Sequence, residues 1–336
     1  METIDVRRVV SDLVTFNVAR LVIFPRMSGL RNALYGNDGR IRATLRVLPT
    51  VPLYVLSLLA VRAGVSALGA PLENIQTYIV QAGVLTVVFS GVFLLWSRRI
   101  DRRPLQEYGI TADTDALVNF FVGAAVVITG YALWIGVSTA AGATELTLVM
   151  NYYRGAFVPA AVLISIGIVL GAFVQDLLYL ALILTNSIEG ISAQLSSSSV
   201  AVVGGTVVTS VVFVGYHFLL GMGVAGYLQP VEATISLLTG ILFLIAVYLL
   251  SNSLAMAVGS HGAFNAAQGL LFVRETGPVP APTVFRVDGS LLPSVLGTAR
   301  VAESTIAFLL LLGALRLVRG ISGVDETVSK VRVSGD

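Results

Sequence analysis

The sequence predicts an all-α, multi-pass membrane protein of about eight transmembrane helices, and three observations carry that prediction. Of 336 residues, 56% are hydrophobic and only 12% charged, about half the charged share of a soluble domain and too few to coat a water-facing surface. Eight apolar stretches come near the ~20 residues that a helix needs to cross the hydrocarbon core. They do not alternate polar with apolar residues as barrel strands would, so helix is the spanning structure that remains. The third observation is an asymmetry of arginines between alternate loops. Together these exclude a soluble enzyme, a nucleic-acid binder and a disordered chain.

Taken in order, the chain opens with a basic segment, residues 1–46, holding Arg7, Arg8, Arg20, Arg26, Arg31, Arg40, Arg42 and Arg46. No apolar run of signal-peptide type follows its first arginines. Leu13, Val14, Phe16, Val18, Leu21, Val22 and Phe24 suggest a short interfacial helix, the alternative being a partly disordered tail. The membrane domain, 47–318, has spans near 47–68, 77–97, 116–139, 158–185, 200–224, 233–251, 253–273 and 299–318. The loop after the second span reads Arg98-Arg99-Ile100-Asp101-Arg102-Arg103, and the tail, 319–336, carries Arg319, Lys330 and Arg332. The loops after spans one, three and five hold only Arg154 between them. The positive-inside rule then predicts a multi-pass protein of the cell membrane with both termini cytoplasmic. The Pro- and Gly-rich loop from Arg274 to Leu296 would face outside. No internal duplication of the spans is visible, which weighs against an inverted-repeat transporter. A net charge of +2 gives no sign of a nucleic-acid partner.

Polar residues inside spans are costly, so each one marks a candidate function. The fourth span carries Gln175 and Asp176. The fifth carries Phe213 and His217, and the seventh His261 and Asn265. Residues four apart share a helical face, and the economical expectation is that Asp176, His217, His261 and Asn265 face one another around a hydrated cavity. The alternative is that each bridges two helices by a hydrogen bond. Depth is a difficulty for the shared cavity. Counted from cytoplasmic ends, His217 lies about eight residues deeper than Asp176 and His261, an offset of roughly 12 Å. With no cysteine and two histidines, acid–base or metal chemistry that uses histidine must use His217 and His261. Arg62, Arg300 and Glu303 sit near span ends and are expected to snorkel or pair locally, and Gly221, Gly223 and Gly226 to allow close helix packing.

These elements resemble the CPBP family of intramembrane endopeptidases, which includes the type II CAAX prenyl proteases and proteins similar to lysostaphin resistance protein A. Its second motif, Phe-x-x-x-His, is met by Phe213 and His217, and its third, His-x-x-x-Asn, by His261 and Asn265. The segments Arg102-Arg103-Pro104-Leu105-Gln106-Glu107-Tyr108-Gly109-Ile110 and Leu182-Ile183-Leu184-Thr185-Asn186-Ser187-Ile188-Glu189-Gly190 also look like family sequence, so the resemblance covers about 98–318. The first motif, Glu-Glu-x-x-x-Arg, is altered: its glutamates align with Gln175 and Asp176 and its arginine with Leu180. The resemblance implies a CPBP-like helical bundle that hydrolyses peptide bonds of a membrane-embedded or lipidated substrate with an activated water. It gives the base role to the first-motif carboxylate and His217, and oxyanion support to His261 and Asn265.

An amide cannot accept a proton at working pH, so Gln175 is at most a positioning group. Asp176 keeps a carboxylate, one methylene shorter and turned about 100° around the helix. In one version Asp176 or His217 takes the water's proton; in another His217 is the base and Asp176 orients it. No cofactor is expected, although Asp176, His217 and His261 are of the types that bind Zn²⁺ with an open water position. Two other readings stay open beside the active peptidase: an inactive homologue that binds membrane partners, and a proton-coupled transporter using Asp176 and the histidines as a relay.

Overall fold

In a computed structural model the chain is mostly helical, with residues 34, 40–69, 75–150, 157–195, 197–219, 230–273, 282–289 and 298–319 described. Its helices are α1 (Ala43–Val47), α2 (Thr50–Ala67), α3 (Ile75–Trp96), α4 (Thr114–Ala140), α5 (Phe157–Asp176), α6 (Thr185–Ser192), α7 (Ser198–Leu219), α8 (Pro230–Ser251), α9 (Leu254–Ala266) and α10 (Thr298–Arg319). Among the described residues, six helical runs are long and apolar enough to cross a membrane: Ala43–Ala67, Gln76–Asp101, Thr114–Ala140, Phe157–Ser192, Ser198–Leu219 and Ala233–Ser251. These are the first six expected spans. The seventh expected span is occupied by α9, and the eighth by α10, whose apolar stretch Ser304–Leu317 is shorter. The interfacial helix expected around Leu13–Phe24, the glycines 221, 223 and 226 and the tail residues Lys330 and Arg332 lie outside the described residues.

The fourth run is longer than the sequence suggested. After α5, residues Leu177–Leu184 widen into a π-helix, and α6 continues to Ser192 without a break. Wide turns of this kind are rare and tend to occur at functional sites. Every residue of the π-helix is buried, so this segment forms the centre of the hydrophobic core with Tyr54, Phe89, Phe213, Tyr216 and Leu244 around it.

The two ends of the bundle differ. At one, the α9 amide of Leu254 donates to the Gly109 carbonyl at 2.9 Å, and the ends of α1, α3 and α6 meet in a group of ion pairs. At the other, a small sheet collects β1 (Thr144–Leu148), β2 (Phe272–Val273) and β3 (Phe285–Gly289) in the order β1-β3-β2. Strand β3 pairs antiparallel with β1, Leu146 opposite Val287, and parallel with β2. Tyr131, Phe272 and Phe285 stack in a row at 5.7 Å spacing beneath it. The sheet departs from the all-α expectation. Past the last helical turn, backbone amides and carbonyls still need partners, and neighbouring loops provide them.

Helix α9, continued by a π-helical turn over Ala267–Leu271, runs from the first end to the sheet, packed mainly on α4. Gly123 and Gly259 allow that contact: a Cβ on Gly259 would overlap the Phe120 carbonyl, and one on Gly123 the Met256 carbonyl. Both obstacles are backbone and cannot turn aside. Gly259→Ala is therefore expected to destabilise the protein by about 1–3 kcal/mol or more, measured as a lowered midpoint of thermal unfolding in detergent. An unchanged midpoint would mean that the helices are not held at this distance.

Candidate functional site

Asp176 is the last residue of α5, where the helix opens into the π segment, and His261 sits in the middle of α9. The packing of α5 against α9 brings them together: His261 Nδ1–H donates to Asp176 Oδ1 at 2.8 Å, with both side chains buried. Because Nδ1 carries the proton to the carboxylate, the neutral ring presents its lone pair at Nε2. The other carboxylate oxygen, Asp176 Oδ2, is buried and has no partner among the described residues. A buried acceptor without a partner costs free energy, and Oδ2 has the capacity to accept a further hydrogen bond.

His217 is placed by a different element. It lies near the end of α7, and its Nδ1–H donates to the Phe213 carbonyl one turn back at 2.8 Å. The Phe213 ring lies against it at 4.2 Å between centroids, with Tyr216 edge-on at 5.4 Å. This tautomer also leaves Nε2 free to accept. His217 and His261 are close enough for their charges to interact, but the carboxylate is bonded to His261. Asn265, one turn beyond His261, is exposed; Gln175 is half-buried; Leu180 is buried in the core. The depth difficulty eases because the fourth helical run continues to Ser192, placing Asp176 roughly four turns from its end.

Around Phe213 and His217 stands a group of tyrosines that the sequence reading did not pick out. The Tyr54 and Tyr216 hydroxyls are hydrogen-bonded to each other. Tyr179, in the π-helix, packs edge-on to Phe213 at 4.9 Å and to Tyr216 at 6.0 Å. Its hydroxyl is buried with no partner among the described residues.

A second polar centre, at the end of the bundle away from the sheet, was also not anticipated. Asp101 is fully buried and accepts four side-chain bonds: Arg46 at 2.9 Å and Trp96 Nε1 at 3.1 Å on Oδ1, Tyr108 at 2.5 Å and Asn186 at 3.1 Å on Oδ2. Arg46 spans to Glu189 Oε2 at 2.6 Å, which Arg103 also contacts, and Arg40 reaches Glu189 Oε1 at 3.2 Å. Burial, and then the neighbouring Asp101 carboxylate, hold Tyr108 well above the usual phenol range, so it remains a neutral donor. The sequence carries a signal for it, since Asp101 lies within a run of arginines and Asn186 and Glu189 lie three apart on one helix face. Without the fold nothing linked them.

Among the described residues no three His, Asp or Glu side chains come together as a metal-ligating set. Asp176 and His261 meet as a pair, one ligand short of the three protein ligands of a catalytic zinc site.

The helices and their buried polar groups define a multi-pass membrane protein with a carboxylate–imidazole pair in its interior. No family model matches the chain, and neither a curated protein nor a solved structure is significantly similar to it.

Proposed function

We propose that the chain is an intramembrane endopeptidase of CPBP type, hydrolysing a peptide bond of a membrane-embedded or lipidated protein. One observation supports this reading above the others: the buried 2.8 Å hydrogen bond from His261 to Asp176. A carboxylate on Nδ1 fixes the tautomer of a histidine base and stabilises the imidazolium formed when that base takes a proton. In the proposed reaction, Nε2 of His261 removes a proton from water while the water oxygen bonds to the scissile carbonyl carbon. The carbonyl π pair moves onto oxygen. As the tetrahedral centre collapses, the C–N bond breaks and the imidazolium returns its proton to the leaving amine. Relative to the roles implied by the resemblance, this exchanges the two histidines: His261 is the base, and His217, with Nε2 also free, stands beside the reacting group.

The same reading includes eight crossings with both termini cytoplasmic in the cell membrane. Its support is the placement of loops. The arginine-bearing ends before span one and after span two meet Glu189 at the end of span four, so these three ends share one end of the bundle. The loops after spans three and seven share the other, through pairing of β1 with β3.

The test is cleavage of a panel of prenylated and transmembrane peptides in reconstituted liposomes, wild type against His261→Ala and Gln175→Glu. Cleavage by the wild type and its loss in His261→Ala is the expected result. If only Gln175→Glu cleaves, the chain is an inactive relative whose role is to bind partners. If none cleaves but an imposed pH gradient drives flux, the pair is a proton relay. Restoring arginine at 180 is a poor companion variant, because Leu180 is fully buried among apolar side chains and the new charge would have no water.

A further inference from the structure

We propose that the Tyr179 hydroxyl is the donor that receives the scissile carbonyl oxygen, an inference that rests on the endopeptidase reading. Water attack places a negative charge on that oxygen, and a fixed donor there is among the largest contributions an enzyme makes. The residues first expected to supply it are otherwise placed: Nδ1–H of His261 is held by Asp176, and Asn265 is exposed. Tyr179 meets the requirement on four counts. Its hydroxyl is buried and unpartnered among the described residues, whereas Tyr54 and Tyr216 bond each other. It lies three residues after Asp176 in the same continuous helical run, so their backbones are within about 5 Å of each other along the axis. It packs on Phe213, whose carbonyl anchors His217. A tyrosine with a ring clamped by aromatic neighbours presents its O–H in a fixed direction, so little reorganisation is needed when charge develops.

A phenol at this position gives a site with the altered first motif a donor that does not depend on the motif's arginine. The wide turn after Asp176 rotates the following residues out of α-helical phase. Tyr179 and Leu180 are both buried in this segment, so a phenol stands next to the apolar side chain that occupies the arginine position of the motif.

The experiment compares wild type and Tyr179→Phe in the liposome cleavage assay, resolving kcat from KM, with thermal unfolding of both in detergent. Removal of the hydroxyl is expected to lower kcat about 10²–10³-fold, with KM changed by less than about threefold and the unfolding midpoint not lowered. A midpoint that falls in step with activity would make the hydroxyl structural and overturn the proposal. An unchanged kcat would overturn it too, while the endopeptidase reading stands. Absence of cleavage by wild type would instead bring down the endopeptidase reading, and the donor role with it.

Discussion

Asp176→Asn is expected to lower peptide cleavage by about 10²–10⁴-fold, the range for loss of assisted proton transfer. The substitution keeps size and shape, and the amide oxygen can still accept from His261 Nδ1–H. What it removes is the negative charge that stabilises the imidazolium once His261 has taken the water's proton. It also puts an amide NH₂ where Asp176 Oδ2 now lies buried, with no partner among the described residues. The thermal midpoint should therefore change far less than the rate. The measurement is cleavage by the purified variant in liposomes beside its unfolding curve. A variant that cleaves at the wild-type rate would remove Asp176 from the chemistry and move attention to His217.

Arg46→Ala should have the largest effect on stability, about 3–5 kcal/mol. Arg46 is the side chain that joins Asp101 to Glu189, and all but 2% of its surface is buried. Without it Asp101, fully buried, keeps its bonds from Trp96, Tyr108 and Asn186 but loses its cationic side-chain partner. A buried carboxylate without a counter-charge is far more costly than the ion pair is favourable. Glu189 is partly exposed and still has Arg40 and Arg103, so most of the loss arises at Asp101. Arg46→Lys should recover only part of it, because one ammonium cannot fork between two carboxylates as a guanidinium does. Thermal unfolding of the three proteins in detergent gives the order wild type, Arg46→Lys, Arg46→Ala; equal midpoints would show that the buried charges are compensated in another way.

The spans were legible because hydropathy acts locally: twenty apolar residues in a row need no knowledge of their neighbours to require a bilayer. Asp176, His217 and His261 stood out for a related reason, as polar groups where lipid would penalise them. Which of them would pair was not legible. Helix periodicity assigns faces within a helix, but Leu177–Leu184 does not keep α-helical phase, and the lateral order of helices follows from packing such as the Gly259–Phe120 approach. Asn265 shows the consequence. It shares a face with His261 by spacing, yet it is exposed whereas His261 is buried. The arginines mislead in a complementary way, because Arg46 and Arg103 count equally with the others in a charge tally although Arg46 is buried against carboxylates from two other helical runs.

Composition and order along the chain thus determined that this is a helical membrane protein, where most of its spans begin and end, and which few residues bear chemistry inside them. Tertiary structure alone decided that Asp176 meets His261, that the Tyr179 hydroxyl beside Phe213 has no partner among the described residues, and that Arg46, Asp101 and Glu189 form one cluster. Solvent preference is a property of each segment, whereas a hydrogen bond between residues 85 positions apart exists only once packing has set two helices side by side.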